Sequence, residues 1–495
     1  KGRVSVIVNP DAKTICFKDN GIGMTEEEVE KYITQIAFSG AADFIEKYKD
    51  KANSDQIIGH FGLGFYSAFM VADRVEIETL SYKKDAKPVH WSCDDGTDYS
   101  MTEGSKSSHG TEITLHLNND CLKYANEWEM RSIIEKYCSF MPVEIYLEKL
   151  PKDSQEILAS EKLPEDLVLE EIPEKLEKDE EKKTEARLKI EKRPVLLNEI
   201  HPLWGESPST VTKEQYLDFY RKTFHDYKEP LFWIHLNMDY PYHLKGILYF
   251  PKINSEYESI EGTIKLYNNQ VFIADNIKEV IPEYLLLLKG VIDCPDLPLN
   301  VSRSQLQNDG FVKKISDYIT KKVAEKLSGL CKTDRDNYEK YWDDISPFIK
   351  YGILRDEKFA EKMKDYILFK DLEDKYLTLP ELKEKKDDSE GASENAENKS
   401  PEESQQKDKQ ASDENTKESG SETQSGDGEK QEEKVQRVYY VSDALAQSQY
   451  IRIFKEHKKE AVYLTERIDS AFITELEAKN EGLRFQRIDA DFQEA

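Results

Sequence analysis

The sequence predicts an α/β (α+β) protein, an α/β sandwich followed by a second α/β domain that carries a helical subdomain. Three observations lead there. Short runs such as Val4-Ser5-Val6-Ile7-Val8 and Thr111-Glu112-Ile113-Thr114-Leu115-His116-Leu117 read as strands. A capped helix start stands between them at Thr25-Glu26-Glu27-Glu28. From Ile315 to Tyr366, apolar residues recur at helical spacing.

Taken in order, Val4 to Val8, the turn Asn9-Pro10-Asp11-Ala12 and Lys13-Thr14-Ile15-Cys16-Phe17 form a strand, turn, strand pattern that ends at Asp19. Thr25 then caps a helix, with Glu28 three residues on completing a capping box and acids at the positive end of the helix dipole. The stretch from Ile36 to Gly59 is polar and punctuated by glycine. Strands are expected around Val75 to Thr79 and from Thr111 to Leu117. A helix from about Trp128 to Phe140 closes the sandwich near Glu148, so the first domain is read as 1–148. From 149 to 193 charges crowd together with Pro151, Pro164 and Pro173, which reads as a linker. A middle domain is expected over 194–386, with strands in Leu231 to Leu236 and Gly246 to Phe250 and helices after Ile315. Residues 387–431 contain no Val, Ile, Leu, Met, Phe, Tyr, Trp or Cys. Such a segment cannot offset chain entropy by burial and is expected to be disordered. Folding is expected to resume over 432–495.

Composition narrows the function classes. With 495 residues the chain can bury more than one core. Lys and Arg number 70 against 98 Asp and Glu, a formal charge of −28, which repels nucleic acid and anionic lipid. Cys16, Cys93, Cys121, Cys138, Cys294 and Cys331 are scattered without metal-site spacing, so reduced thiols are expected and no metal ligand is assigned. No apolar run reaches membrane-spanning length, and a cytoplasmic address is expected. The chain opens at Lys1 in mid-pattern, so the first domain is read as truncated and the chain as part of a longer protein.

The chemistry concentrates in two glycine boxes. Asp19-Asn20-Gly21-Ile22-Gly23-Met24 places a carboxylate at the end of a strand, where it can accept an amino hydrogen; as a bare pattern it is more often an ordinary turn than a ligand site. In Gly59-His60-Phe61-Gly62-Leu63-Gly64-Phe65-Tyr66-Ser67 the glycines alternate with apolar residues, where they weaken a helix or strand, and close backbone approach to a phosphate explains them. Gly110-Thr111 opens the third element, with Thr111 either facing a pocket or capping a strand. His60 has no Ser/His/Asp or metal partner pattern and reads as a packing residue.

In carrying these three elements in this order, the chain resembles the 90-kDa heat-shock protein chaperones, and their bacterial form most. Pro202-Leu203-Trp204, Glu229-Pro230-Leu231, Leu299-Asn300-Val301-Ser302-Arg303 and Tyr439-Tyr440-Val441-Ser442 extend the match. The resemblance implies a GHKL-type ATP-binding sandwich, a middle domain that assists hydrolysis and holds clients, and a C-terminal dimerisation domain beyond this sequence. It implies that Asp19 receives the adenine amino group, that Gly23 and Met24 shape the base pocket, and that Gly62, Leu63, Gly64 and Phe65 face the phosphates. It also places Thr111 near the adenine. Arg303, with Gln307 as a weaker companion, would reach the γ-phosphate from the middle domain and offset charge during phosphoryl transfer. The cofactors implied are ATP and Mg²⁺. The general-base glutamate and the Mg²⁺-holding asparagine are expected on a preceding helix that this sequence does not include.

Residues 36–59 match the family's lid, with Phe38 where a lysine is usual. Implied partners are unfolded or partly folded client proteins and a second copy of the chain, with neither nucleic acid nor membrane. Phe232-Trp233 and Tyr240-Pro241-Tyr242 are open between client surface and core. The competing function is a GHKL ATPase acting on DNA, of topoisomerase or mismatch-repair type, against which the negative charge argues.

Overall fold

The computed structural model describes residues 1–35, 64–94, 96–173, 175–176, 183–184, 186–252, 262–276, 280–297, 309–383 and 436–490. These fall into two compact units, one within Lys1–Pro251, Glu261–Ile281 and Leu288–Ile315, the other within Lys252–Ile260, Pro282–Leu287 and Ser316–Ala495. The expected lid over 36–59, His60 and the acidic stretch 387–431 lie outside the described residues.

The first unit begins with the hairpin that the sequence predicts, β1 (Arg3–Asn9) and β2 (Thr14–Asp19), antiparallel with Val4 opposite Asp19. Helix α1 (Glu26–Tyr32) follows. Thr25 caps it and Glu28 returns to the Thr25 amide, completing the box. A 3-10 helix, Gly64–Met70, leads into β3 (Ala72–Leu80), β4 (Val89–Asp94), β5 (Asp98–Glu103) and β6 (Gly110–Leu117). Helix α2 (Glu127–Tyr137), capped by Asn126, and β7 (Glu144–Lys149) complete the layer. With β13 (Val195–Leu196) the strands form one sheet in the order β13-β7-β1-β2-β6-β3-β4-β5. Alternation decides its inner face: Val6, Val8, Ile15, Val75, Ile77, Leu115 and Leu117 are buried, and Val29 of α1 and Met130 and Ile134 of α2 share their core.

The charged stretch 149–193, read from the sequence as linker, contains strands. β8 (Ser154–Leu158), β9 (Val168–Ile172) and β12 (Arg187–Glu191) pair in the order β8-β12-β9, and β10 (Lys175–Leu176) pairs with β11 (Lys183–Thr184). Charge density hid the alternation of β12, whose Leu188 and Ile190 are buried.

Helix α3 (Lys213–Phe224) precedes a five-stranded sheet of β14 (Phe232–Met238), β15 (Leu244–Phe250), β16 (Thr263–Asn268), β17 (Val271–Asp275) and β18 (Lys289–Asp293). Its order is β14-β15-β18-β16-β17, antiparallel except where β16 meets β18. The aromatic-rich strands pack against α3 through Tyr216, Phe219, Tyr220, Tyr249 and Tyr267, with Trp204 and Phe140 in the same cluster. Phe232 is buried and Trp233 half-buried against Tyr216, which is the core reading; Tyr240 is exposed and Tyr242 stacks edge-on to Phe311.

The second unit has the expected helical subdomain, with α4 (Asp309–Thr333) running into it and α5 (Arg335–Arg355) and α6 (Glu357–Met363) within it. A sheet follows, of β19 (Leu368–Asp371), β20 (Tyr376–Thr378), β21 (Gln436–Val441), β22 (Val462–Tyr463) and β23 (Leu483–Arg487), in the order β20-β19-β22-β21-β23. Helices α7 (Ser448–Glu456) and α8 (Asp469–Lys479) accompany it. Lys350 on α5 is buried with its Nζ 2.6 Å from Asp469 Oδ1 and 2.9 Å from Glu466 Oε2. The Asp469 contact is close but off the hydrogen-bond direction, since that oxygen meets no donor at a bonding angle. Among the described residues no helix is long and apolar enough to cross a membrane, and all six cysteines are free.

Candidate functional site

Two adjacent strands of the large sheet, β2 and β6, bring the first glycine box and the Gly110 turn together. They pair antiparallel, so the end of β2 lies beside the start of β6, with Lys18 opposite Glu112. Asp19, the last residue of β2, is half-buried at this edge. Its Oδ1 accepts from the Gly21 amide at 2.7 Å, closing an Asx turn, and from the Thr111 amide at 3.3 Å. Among the described residues Oδ2 has no donor. A carboxylate fixed through one oxygen and open at the other is an oriented acceptor for an amino group.

The glycines around it are required by their neighbours. Gly23 has φ +60°, and a Cβ there would stand 1.8 Å from the Leu80 carbonyl oxygen. Gly110 has φ +125°, and its Cβ would fall 2.2 Å from the Asp19 carbonyl oxygen. Both positions are thus closed to any side chain, because the obstacle is backbone. The turn is fastened to β3 by the Met24 amide, which donates to Thr79 Oγ1 at 3.0 Å, and to the residues just past β3 by the Tyr82 amide, which donates to Ile22 O at 2.8 Å. His109 Nδ1 lies 2.7 Å from Gly21 O on the solvent side.

Thr111 is buried, and its hydroxyl lies 3.1 Å from that of Thr79 across the β3–β6 pair. The strand and pocket readings of Thr111 therefore meet in one residue: its amide serves the carboxylate and its hydroxyl faces a neighbouring strand. Sequence reasoning passed over Thr79, reading it as the end of a strand. The available signal was a hydroxyl at the inward position after Val75 and Ile77, where alternation calls for an aliphatic.

Of the residues predicted for the site, the structure links Asp19, Met24 and Thr111 through hydrogen bonds, with Gly23 in the turn beside Met24. Gly64 and Phe65 belong to the 3-10 helix. Gly64 is exposed, and a Cβ there would meet nothing within 4 Å among the described residues, so none of them demands a glycine. Phe65 turns its ring into the core, 5.7 Å from Trp91 and 6.3 Å from Phe69. Gly62, Leu63, Arg303 and Gln307 lie outside the described residues. Among the described residues no group of three or more His, Cys, Asp or Glu side chains could hold a metal ion.

Nearby charges are settled in local pairs. Burial pushes the Glu112 carboxyl up, but hydrogen bonds from Lys106 and Lys18 outweigh it and hold it below the ordinary value. Glu28 behaves alike: burial is outweighed by Lys83 and by the Thr25 amide of the capping box.

Comparison with known proteins finds matches along most of the chain. Residues 2–127 match the family described as histidine kinase-, DNA gyrase B- and HSP90-like ATPase, and residues 123–390 match the Hsp90 protein family. The chain is 44% identical over 396 residues to the chaperone protein HtpG of Bacteroides thetaiotaomicron, covering 79% of this chain and 53% of that protein. With HtpG of Bacteroides fragilis it shares 39% identity over 492 residues, 99% of this chain and 62% of the relative. For HtpG of Porphyromonas gingivalis the figures are 43% over 385 residues, 77% and 52%. The chain thus spans little more than half the length of these relatives.

Proposed function

The chain belongs to the Hsp90 family, and from that premise we propose that it is the ATP-binding and middle part of an ATP-dependent molecular chaperone. Residues 1–148 are assigned to nucleotide binding, 149–193 to the connection, and 194–386 with 432–495 to the middle domain. ATP binding and hydrolysis would drive closure of these parts and remodelling of unfolded or partly folded clients by a dimeric, soluble protein. The names of the relatives, all chaperones, support the chaperone reading over a DNA-acting ATPase, as does the charge of −28.

The observation that supports the nucleotide site is the state of Asp19. One carboxylate oxygen is bound by two backbone amides and, among the described residues, the other has no donor, beside two turns that admit only glycine. That matches what an adenine amino group needs, an oriented acceptor, held in place by two turns packed against protein backbone. Gly23 and Met24 would border the base and Thr111 would fix the acid. The main chain of Gly62 to Phe65 would approach the phosphates, the Phe65 ring being committed to the core. Bound ATP supplies the transferable phosphoryl group, and Mg²⁺ would neutralise its phosphate oxygens. Arg303 and Gln307 would offset the charge of phosphoryl transfer.

Asp19→Asn tests the reading. A charge-assisted hydrogen bond contributes about 1.5–3 kcal/mol, so the variant should bind ATP ten- to a hundred-fold more weakly by titration calorimetry. Unchanged affinity would remove the adenine assignment.

A further inference from the structure

We infer that Thr79, which belongs to no recognised motif, is a positioning residue that sets the base preference of the nucleotide site, an inference that rests on the proposed role of Asp19. On β3 the inward row is Val75, Ile77 and Thr79, each 0% exposed. A hydroxyl in an aliphatic row is unfavourable unless it is hydrogen-bonded. Thr79 Oγ1 has three polar neighbours: the Met24 amide at 3.0 Å, Thr111 Oγ1 at 3.1 Å and Gly110 O at 3.3 Å. All three come from the turns around Gly23 and Gly110. One buried hydroxyl therefore ties β3 to both, and through the Thr111 amide the link reaches Asp19 Oδ1.

The hydrogen count gives this link a chemical consequence. Thr79 has one hydrogen and two lone pairs, and the Met24 amide takes a lone pair. If the Thr79 hydrogen goes to Gly110 O, Thr111 donates to Thr79 and keeps only lone pairs for other contacts. If it goes to Thr111, that hydroxyl keeps its own hydrogen for another acceptor. Thr79 thus controls both the position of the Met24 main chain and the polarity of Thr111. Adenine and guanine differ in the donors and acceptors of the ring edge that would face these groups, so base preference is the property that reports on Thr79.

The experiment measures ADP and GDP binding to the whole chain by titration calorimetry for the wild type, Thr79→Val, Thr79→Ser, Thr111→Val, the double variant Thr79→Val with Thr111→Val, and Asp19→Asn. Thr79→Val keeps the shape and removes the hydroxyl. It should weaken ADP roughly ten-fold while leaving GDP nearly unchanged, so that the preference falls by the same factor. Thr79→Ser, which restores the hydroxyl, should keep the preference within about two-fold of the wild type. Because both threonines act through one bond, Thr79→Val with Thr111→Val should lose no more than the worse single variant.

Equal weakening of ADP and GDP by Thr79→Val would assign Thr79 to packing alone and overturn the inference. Additive losses in the double variant would do the same. Should Thr79→Val fail to fold, an unchanged base preference in Thr111→Val would still overturn it. The two levels separate cleanly: a wild type that binds neither nucleotide removes the Asp19 reading, whereas loss in Asp19→Asn with none in Thr79→Val removes only Thr79.

Discussion

Asp293 shows at the scale of one residue how burial governs a carboxylate. It accepts from the Trp204 indole at 3.2 Å and from the Gln270 amide at 3.0 Å, yet among the described residues its other oxygen meets no donor at hydrogen-bond geometry. Burial pushes its carboxyl up to about 6 from 3.8, with those hydrogen bonds only partly opposing the rise. The native state therefore holds this proton more tightly than the unfolded chain does. The resulting stabilisation is complete below pH 3.8 and is lost as pH rises through about 6. Asp293→Asn lacks this titration. Relative to the wild type it should gain unfolding free energy between pH 4 and pH 6.5, on the order of 3 kcal/mol, and then level off. Urea titrations across that range check it, and a difference independent of pH would contradict the assignment. Asp19 is the counterpart, a half-buried acid with one oxygen satisfied and, among the described residues, the other without a donor.

Among the elements, α1 connects the glycine turn to the rest of the sandwich. Its capping box satisfies two end groups, and the Tyr66 hydroxyl of the 3-10 helix donates to Ile33 O at 2.6 Å just past its last turn. Thr25→Ala removes the side-chain acceptor and should lower stability by about 1 kcal/mol in thermal or urea unfolding. No measurable change would mean that the helix start is held by tertiary contacts instead. This box was legible in the sequence because capping is local: Thr25 and Glu28 are three residues apart. Gly23 and Gly110 were legible as glycines, but the reason only Gly fits came from backbone 57 and 91 residues away, Leu80 O and Asp19 O respectively. Thr79 was not legible as a site residue, since its role depends on a strand pairing that links it to Thr111 and to Met24. The strands within 149–193 were masked by charge, because Leu188 and Ile190 are the two fully inward residues amid lysines and glutamates. Phe65 was read as facing a ligand; its half-buried ring also packs edge-on against Trp91, a contact between residues 26 apart that the glycine box alone did not reveal.

On the scale of the whole molecule, the proposed activity requires the sandwich and the middle domain to act on one nucleotide. A group that contacts the phosphates only during turnover contributes to rate and not to resting affinity. Arg303→Ala in the full-length protein should therefore slow ATP turnover at least ten-fold while leaving the ATP dissociation constant within about two-fold. Steady-state phosphate release together with equilibrium titration separates the two quantities. A large loss of affinity with normal turnover would place Arg303 in ground-state binding instead.

The acceptor role of Asp19 is tested most directly by the structure of the chain bound to ADP. The account predicts the adenine amino nitrogen within hydrogen-bond distance, about 2.7–3.2 Å, of Asp19 Oδ2, with Oδ1 still held by Gly21 and Thr111. A base bound elsewhere, or an Asp19 carboxylate turned away from it, would contradict the account.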